Sequence, residues 1–334
     1  MKKMFFALAA LLLAFTACTS ENEVIDTPKK EVKVTVNMDK PGFGEDARAA
    51  RTGWEEGDQV FLTLSGEVYT YFELTYKGDE KWDIKAMDYN GAIDVESYEE
   101  WTGDISLLIE DFLYENPTQE ERILNAVYFS SPMKKAALDG INDKLTFTVY
   151  TPVFDGDGNE NYGADYEGGV CVMTCKDGTW NVVENDGEYE LQFNINLIPQ
   201  VTQFTVRGLQ CVDNTKENYA EIAELREIIY SNSEGHREWN PLYSYVGASF
   251  TAEGIELKKD IFGDCCLNVY PNADGISFYA GVPDGVTTDF DVILHIKDQG
   301  MNREFYDKTL KNGDAVIMDG PYTDGAEDKW IFLQ

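Results

Sequence analysis

Residues 59–85 read QVFLTLSGEVYTYFELTYKGDEKWDIK, and their pattern gives a clear indication of the fold class. Runs rich in Val, Phe, Leu, Thr and Tyr are interrupted at Ser65-Gly66 and again at Lys77-Gly78-Asp79. Glycine, serine and aspartate are typical of turns, whereas β-branched and aromatic residues are typical of strands. The segment therefore predicts a series of strands separated by short turns.

The same pattern extends over most of the chain. Residues 31–39, EVKVTVNMD, alternate Val32, Val34 and Val36 with charged or polar residues, which predicts a half-buried strand. Turn residues recur at intervals of about 8–12 residues, as in β-sandwiches. We expect a mainly β protein with an N-terminal sandwich domain at 31–187 and a C-terminal one at 188–334.

One helix is predicted, in the C-terminal half of the chain, from the segment 215–230 (TKENYAEIAELREIIY). Its apolar residues fall near helical spacing; they are Tyr219, Ile222, Ala223, Leu225, Ile229 and Tyr230. A second segment, ISLLIEDFLYENPTQEERILNAVYFSS (105–131), is ambiguous, because strand and short helix both fit it.

Composition narrows the classes of partner. The chain has 334 residues, with 27 Lys and Arg against 61 Asp and Glu, and a net charge of −34. Such an excess of acid argues against nucleic-acid binding, which needs clustered basic residues, and against electrostatic docking on anionic lipids. A hydrophobic content of 43% favours packed cores over disorder.

The N-terminus has the features of an export signal. Lys2 and Lys3 precede an apolar run, and small residues precede Cys18, so residues 1–17 are predicted to be a signal peptide. Residues 15–18, Phe-Thr-Ala-Cys, resemble the lipobox of bacterial lipoproteins, which implies that Cys18 is the lipid attachment site. Residues 18–30 would then be a polar tether, and the membrane is reached through the lipid anchor only. A plain secretory signal is the alternative.

Motifs for catalysis are absent from the sequence. There is no Gly-x-Ser-x-Gly elbow, no phosphate-binding loop and no dinucleotide fingerprint, and the chain has two histidines, His236 and His295. We therefore expect no enzymatic activity and no catalytic residues. Cys171 and Cys175 lie too far apart along one strand to form a disulfide with each other. We expect buried thiols that act as small apolar residues; the alternative is that an exported chain pairs some of its five cysteines other than Cys18.

A calcium site is the one metal site that the sequence suggests. Asp155, Asp157, Asn159 and Asn161 alternate as at the start of a calcium-binding loop, where oxygen ligands converge on one ion. The sixth position holds Glu160 where that loop has Gly, and the twelfth holds Tyr166 where it has Glu. A solvated hairpin loop is the alternative, and no other cofactor is expected.

Aromatic residues offer an alternative function, the binding of glycans at the cell surface, assisted by calcium if the loop binds it. Exposed aromatic rings can stack on sugars. The six tryptophans, however, are scattered along the chain; they are Trp54, Trp82, Trp101, Trp180, Trp239 and Trp330.

Two arginines stand out in the segment 46–58, DARAARTGWEEGD. Arg48 and Arg51 lie between the Val-rich strand and a Trp-x-x-Gly-Asp turn in an otherwise acidic chain. This order of features resembles the fimbrillin family of pilins and pilus-associated surface lipoproteins. The matching residues are Arg51-Thr52, Trp54, Gly57-Asp58 and Val60-Phe61.

The resemblance implies two transthyretin-like β-sandwich domains and a lipoprotein of the outer membrane, or of the fimbrium once polymerised. It also implies that an arginine-specific protease cuts at Arg51, or secondarily at Arg48, and releases the strand before it. A strand of another subunit would then fill the groove by β-strand addition. The implied partners are other fimbrial subunits or a second copy, with host glycans or proteins as further candidates.

Overall fold

Strands make up most of the computed structural model, as the sequence predicts. It describes residues 32–44, 53–90, 97–102, 105–130, 133–139, 142–154, 160–163, 170–185, 188–206, 209–211, 220–230, 237–241, 243–261, 263–267, 276–282, 286–296, 299–318 and 330–332. All of these residues belong to the unit Glu31–Gln334.

The first twelve strands are β1 (Val32–Asp39), β2 (Gln59–Leu64), β3 (Thr70–Tyr76), β4 (Trp82–Asn90), β5 (Ser97–Glu100), β6 (Ile123–Phe129), β7 (Met133–Asp139), β8 (Lys144–Phe154), β9 (Glu160–Gly163), β10 (Val172–Asn185), β11 (Glu188–Asn196) and β12 (Ile198–Pro199). Helix α1 (Ile105–Glu115) and a 3₁₀ turn (Gln119–Glu121) lie between β5 and β6.

Twelve further described strands follow: β13 (Thr202–Val206), β14 (Leu209–Cys211), β15 (Ala220–Tyr230), β16 (Arg237–Pro241), β17 (Tyr243–Thr251), β18 (Gly254–Ile261), β19 (Gly263–Leu267), β20 (Ile276–Ala280), β21 (Val286–Ile296), β22 (Gln299–Lys311), β23 (Ala315–Met318) and β24 (Trp330–Phe332).

Among the described residues, the largest sheet, sheet A, has nine strands in the order β1-β11-β10-β6-β2-β3-β4-β5, with β12 beside β10. Strand β1 runs parallel to β11, whereas the other pairs are antiparallel. The sheet curls so far that β1, at one edge, also contacts β4 near the other edge.

Both faces of sheet A are buried at its centre, because strands such as β2 and β6 carry apolar side chains on both faces. In β2, Val60, Leu62 and Leu64 point to the inner core, whereas Phe61 points to the outer core. Helix α1 contributes Ile109 and Phe112 to the inner core. On the outer face lies sheet B, β18-β17-β8-β7 with β9 beside β8, so that the two sheets pack face to face as in a sandwich.

The ambiguous segment 105–131 resolves into both of its alternatives. Residues Ile105–Glu115 form α1, whose buried residues are Ser106, Ile109 and Phe112 at spacings of three. Strand β6 follows and is buried from Leu124 to Phe129. The helix forms because this spacing gives it one apolar stripe, and that stripe packs on the inner core.

The helix predicted at 215–230 is wrong for its described part. Residues Ala220–Tyr230 form strand β15, which pairs with β16 and β19 along one edge and with β21 along the other. A register irregularity between Ile222 and Glu224 breaks the strand alternation, which explains why the apolar residues mimic helical spacing. Pairing on both edges outweighs local helix propensity, so the described α-helix lies in the N-terminal half.

The expected domain boundary after residue 187 falls between two strands that pair closely. Strands β10 and β11 are joined from Thr179↔Asn194 to Asn185↔Glu188. Sheet B also combines β7 and β8 with β17 and β18, which come from the two sides of that boundary. The described strand pairing therefore continues across residue 187.

Three smaller sheets complete the described chain. Strands β20-β13-β23 form one, β16-β15-β21-β22 with β19 form a second, and β14-β24 form a third. Strand β24, in the C-terminal segment DKWIFLQ, pairs antiparallel with β14. Over the described residues, α1 is too short to cross a bilayer, and no other helix has the length and apolarity to do so.

A pair of substitutions in α1 tests how much the helix stabilises the inner core. We expect Ile109→Ala to lower the free energy of unfolding by about 2–5 kcal/mol, because it leaves a cavity at a side chain that is 1% exposed. Leu107→Ala is the matched control, since Leu107 is 55% exposed, and should change it by less than about 0.5 kcal/mol. Denaturant unfolding measures both, and equal losses would contradict the packing of α1.

Candidate functional site

Strand β1 forms an edge of sheet A, and its sequence explains why it lies there. Val34, Val36 and Met38 face the inner core beside Leu191, Phe193 and Ile195 of β11. The alternate residues Lys33, Thr35 and Asn37 are exposed. An alternating strand of this kind can cover only one apolar face, which is the position that an edge provides. The predicted half-buried strand is confirmed.

The exposed side of β1 is tied to β11 by side chains. The Thr35 hydroxyl donates to a Glu190 carboxylate oxygen at 2.9 Å, and the Asn37 amide donates to Asn194 Oδ1 at 3.2 Å. These bonds lie on the surface, where a single hydrogen bond contributes about 0.5–1.5 kcal/mol or less. They fix the register more than they add stability.

A stronger attachment lies just after the strand, at Lys40. The Lys40 ammonium donates to Asp58 Oδ2 at 2.7 Å, and the two side chains are only 13% and 14% exposed. The Tyr128 hydroxyl donates to Asp58 Oδ1 at 2.9 Å, and the backbone amide of Glu55 donates to Oδ2 at 2.9 Å. The Asp58 carboxylate thus accepts three hydrogen bonds, one of them from the released side of the expected cleavage site.

Aromatic rings surround this ion pair. The Lys40 nitrogen lies 4.6 Å from the centre of the Tyr128 ring and 5.3 Å from that of Trp54, within the range of cation–π attraction. Trp54 packs edge-on against Trp82 and Tyr128, and its indole N–H donates to the Met38 carbonyl at 3.4 Å. We call Lys40, Trp54, Asp58 and Tyr128 the clasp.

The Trp-x-x-Gly-Asp motif forms the turn that places Trp54 and Asp58 in the clasp. The Asp58 amide donates to the Glu55 carbonyl, which closes the turn. Gly57 has a φ of 96°, a conformation that glycine adopts at little cost. Its amide donates to the Tyr76 carbonyl, so the turn is fixed to the end of β3.

The chain is held beyond the clasp as far as Gly44. Phe43 packs on Tyr279 with ring centres 5.4 Å apart, and the Gly44 amide donates to the Gly313 carbonyl at 2.9 Å. Gly44 has a φ of 87°, and a Cβ there would lie 3.1 Å from Ala315 Cβ. A larger residue at 44 would therefore be strained both in its backbone and in its packing.

Burial favours the neutral forms of the Tyr128 hydroxyl and of the nearby Cys171 thiol. Burial, reinforced by the Asp58 carboxylate, raises the pKa of the Tyr128 hydroxyl, so it remains a hydrogen-bond donor. Burial also raises the pKa of the Cys171 thiol to about 12, with Lys40 lowering and Asp58 raising it. Cys171 and Cys175 are both free and buried, as expected. They pack as small apolar residues, and the raised pKa values favour the thiol over the thiolate.

Most of the residues predicted from motifs lie outside the described residues. Cys18, Arg48 and Arg51 do, as do Asp155, Asp157 and Asn159. The fourth calcium candidate, Asn161, lies in β9 opposite Val153 of β8, next to the pair Phe154–Glu160. No group of three or more metal-ligating His, Cys, Asp or Glu side chains occurs within the described ranges. Calcium binding stays a prediction.

The described tryptophan side chains pack in or against the inner core. Trp180 is fully buried, and Trp54, Trp82 and Trp101 pack against the inner core. Trp239 and Trp330 lie in strands β16 and β24. Among the described side chains, the tryptophans therefore provide no exposed platform for a sugar.

Sequence reasoning missed Lys40 and Tyr128. A signal for Lys40 was present, because residues 34, 36, 38 and 40 share one parity, so Lys40 continues the inward row of β1. A lysine at an inward position requires an anionic partner. Tyr128 carried no signal of its own, since its approach to Asp58 depends on the pairing of β2 with β6.

Comparisons with known proteins give two distant structural similarities. No family model and no curated protein matches the chain. It is similar to the crystal structure of a fimbrial protein from Bacteroides ovatus ATCC 8483, with 12% identity and a TM-score of 0.33 over 88% of this chain and 50% of that one. It thus spans half of that protein's length.

The second structure is a candidate cell adhesion protein from Bacteroides thetaiotaomicron VPI-5482. The identity is 7% and the TM-score 0.25, over 86% of this chain and 90% of that chain.

A pair of lysine substitutions tests how much the Lys40–Asp58 ion pair stabilises the fold. Lys40→Met leaves the Asp58 carboxylate without its cation, and we expect a loss of about 2 kcal/mol in the free energy of unfolding, between the values for exposed and buried pairs. Lys33→Met removes the same charge from an exposed position of the same strand and should change it by less than about 0.5 kcal/mol. Denaturant unfolding of the two variants measures the difference, and indistinguishable midpoints would show that the Lys40–Asp58 ion pair adds nothing to stability.

Proposed function

We propose that this chain is a non-enzymatic, lipid-anchored surface protein that acts as a fimbrial subunit or accessory adhesin and joins its partners by β-strand addition. The observation that carries the proposal is the position of β1. It is an edge strand of sheet A, it covers part of the inner core, and it lies between the predicted anchor and the arginine-bearing segment.

Loss of β1 would leave a surface suited to another strand. The backbone of β11 from Tyr189 to Asn196 would lose its partner along one edge. The apolar side chains beside it, Leu191, Phe193 and Ile195, would lose their cover. Unpaired backbone groups next to an apolar face are the features that β-strand addition exploits. We call this surface the β1 groove.

A single cut at Arg48 or Arg51 would have two consequences. It would separate β1 from β2, and it would separate Cys18 and its lipid from the rest of the chain, because both precede the cut. The uncut chain would be an anchored subunit with its groove filled. The cut chain would keep its place on the surface only through another subunit, which couples processing to assembly.

Cleavage would loosen β1 without expelling it. Three half-buried apolar side chains contribute on the order of 3–5 kcal/mol together, and the clasp adds to this. Before the cut, the connection to β2 gives β1 a high effective concentration at its groove, on the order of millimolar for short flexible linkers. After the cut that advantage is lost, so a strand from another subunit can compete on equal terms.

Limited proteolysis tests the assembly step. The full mature chain with Cys18→Ser, treated with an arginine-specific protease, should be cut after Arg51 or Arg48 and then form a ladder of oligomers on unheated detergent gels. The matched control is the Arg48→Gln, Arg51→Gln double variant, which should stay intact in this segment and monomeric. A chain that is cut at these arginines, loses β1 and still remains monomeric would contradict strand addition.

Metabolic labelling tests the anchor. Cells that express the full chain and receive labelled palmitate should label the mature protein, and Cys18→Ser should abolish the label. The labelled protein should also partition with the outer membrane. An unlabelled, freely released wild-type protein would instead support the plain secretory signal.

A further inference from the structure

Most of the clasp would stay with the folded chain after β1 leaves, and the groups that stay can recognise a basic side chain. Asp58 accepts hydrogen bonds from the Glu55 amide and the Tyr128 hydroxyl, and both donors lie on the retained side of the expected cut. The carboxylate is therefore held in place independently of Lys40. When β1 leaves, its ammonium leaves too, and a half-buried anion with only neutral donors remains at the end of the β1 groove.

The aromatic wall of the clasp is also retained. The Lys40 ammonium lies 5.3 Å from the ring centre of Trp54 and 4.6 Å from that of Tyr128, the two rings pack edge-on against each other, and Trp82 packs against Trp54. These rings attract a cation and present no hydrogen-bond donor to the carboxylate other than the Tyr128 hydroxyl. The end of the groove is thus built for a basic side chain.

We propose that the β1 groove selects an incoming strand with three alternating apolar residues followed, two positions on, by a lysine or arginine. This rests on the proposed function and adds to it the chemistry of the partner strand. An apolar residue at the last position would leave the Asp58 carboxylate half-buried without a cation. The cost of an unpaired buried charge makes such a strand a poor occupant.

The basic residue also fixes the register of the incoming strand. A shift by one residue would turn the apolar side chains outward. A shift by two residues keeps them inward, and the basic residue opposes it, because the shift would move the cation away from Asp58. Apolar side chains alone cannot distinguish these two registers, so the ion pair supplies the discrimination.

Peptide competition tests the proposal on the full mature chain with Cys18→Ser. A recognition site for a sequence-specific protease, inserted between Ala49 and Ala50, allows the chain to be cut independently of its own arginines. A fluorescent peptide of residues 31–40 (EVKVTVNMDK) then exchanges into the groove, and unlabelled peptides compete with it in an anisotropy assay.

We expect the Lys40→Met peptide to compete at least about tenfold more weakly than the wild-type peptide, since about 1.4 kcal/mol corresponds to tenfold. The Lys33→Met peptide, which loses the same charge from an exposed position, should stay within about threefold, and Lys40→Arg should match the wild type. In a chain with Asp58→Asn, the difference between the Lys40→Met and wild-type peptides should fall below about threefold.

The outcomes separate the two levels of the proposal. If the wild-type peptide enters the groove but Lys40→Met competes as well as Lys33→Met, the requirement for a cation is overturned and strand addition stands. If no peptide enters after the cut, both are overturned. Should Asp58→Asn fail to fold, the comparison of the two lysine peptides on the wild-type chain still decides.

Discussion

The central strands of sheet A are apolar on both faces, and the fold has to cover each of them. Sheet B covers the outer face, while α1 and the curl of the sheet itself enclose the inner one. The curl brings β1 towards β4, so the inner core is closed along that side by an edge strand. An edge strand, the kind of strand that another chain can most easily replace, thus covers the inner core of the sheet.

An edge strand forms backbone hydrogen bonds with one neighbouring strand only. If it also covers a core, it needs a further attachment. The clasp supplies it with groups from β6, from the turn before β2 and from the residue after β1. Lys40 is the only member of the clasp that precedes the expected cut, so a cut would separate it from Trp54, Asp58 and Tyr128. After a cut at the expected site, the cation would leave with β1, whereas the anion and both rings would stay with the rest of the chain.

The sequence predicted what depends on local alternation and failed where distant pairing decides. Period-two alternation identifies β1, and two-sided apolar runs identify β2 and β3, because neighbours along the chain share or change faces in a fixed way. The spacing in Ala220–Tyr230 misled because an irregular register shifts the faces midway. The parallel pairing of β1 with β11, about 150 residues away, depends on the whole sheet. Lys40 illustrates both cases. The alternation of β1 shows from sequence that its side chain points inward, whereas its partners Asp58 and Tyr128 depend on distant strand pairing.

The clasp also bears on why a protein would place an ion pair in this position when an apolar contact would hold β1 as well. Replacing a buried ion pair by apolar groups of similar size is often neutral or stabilising, so stability alone does not explain it. An apolar end to the groove, however, would accept any alternating strand in more than one register. A half-buried carboxylate penalises each wrong occupant and each slipped register, while the correct strand satisfies it. On this argument the Lys40–Asp58 pair serves the choice of strand more than the stability of the uncut chain.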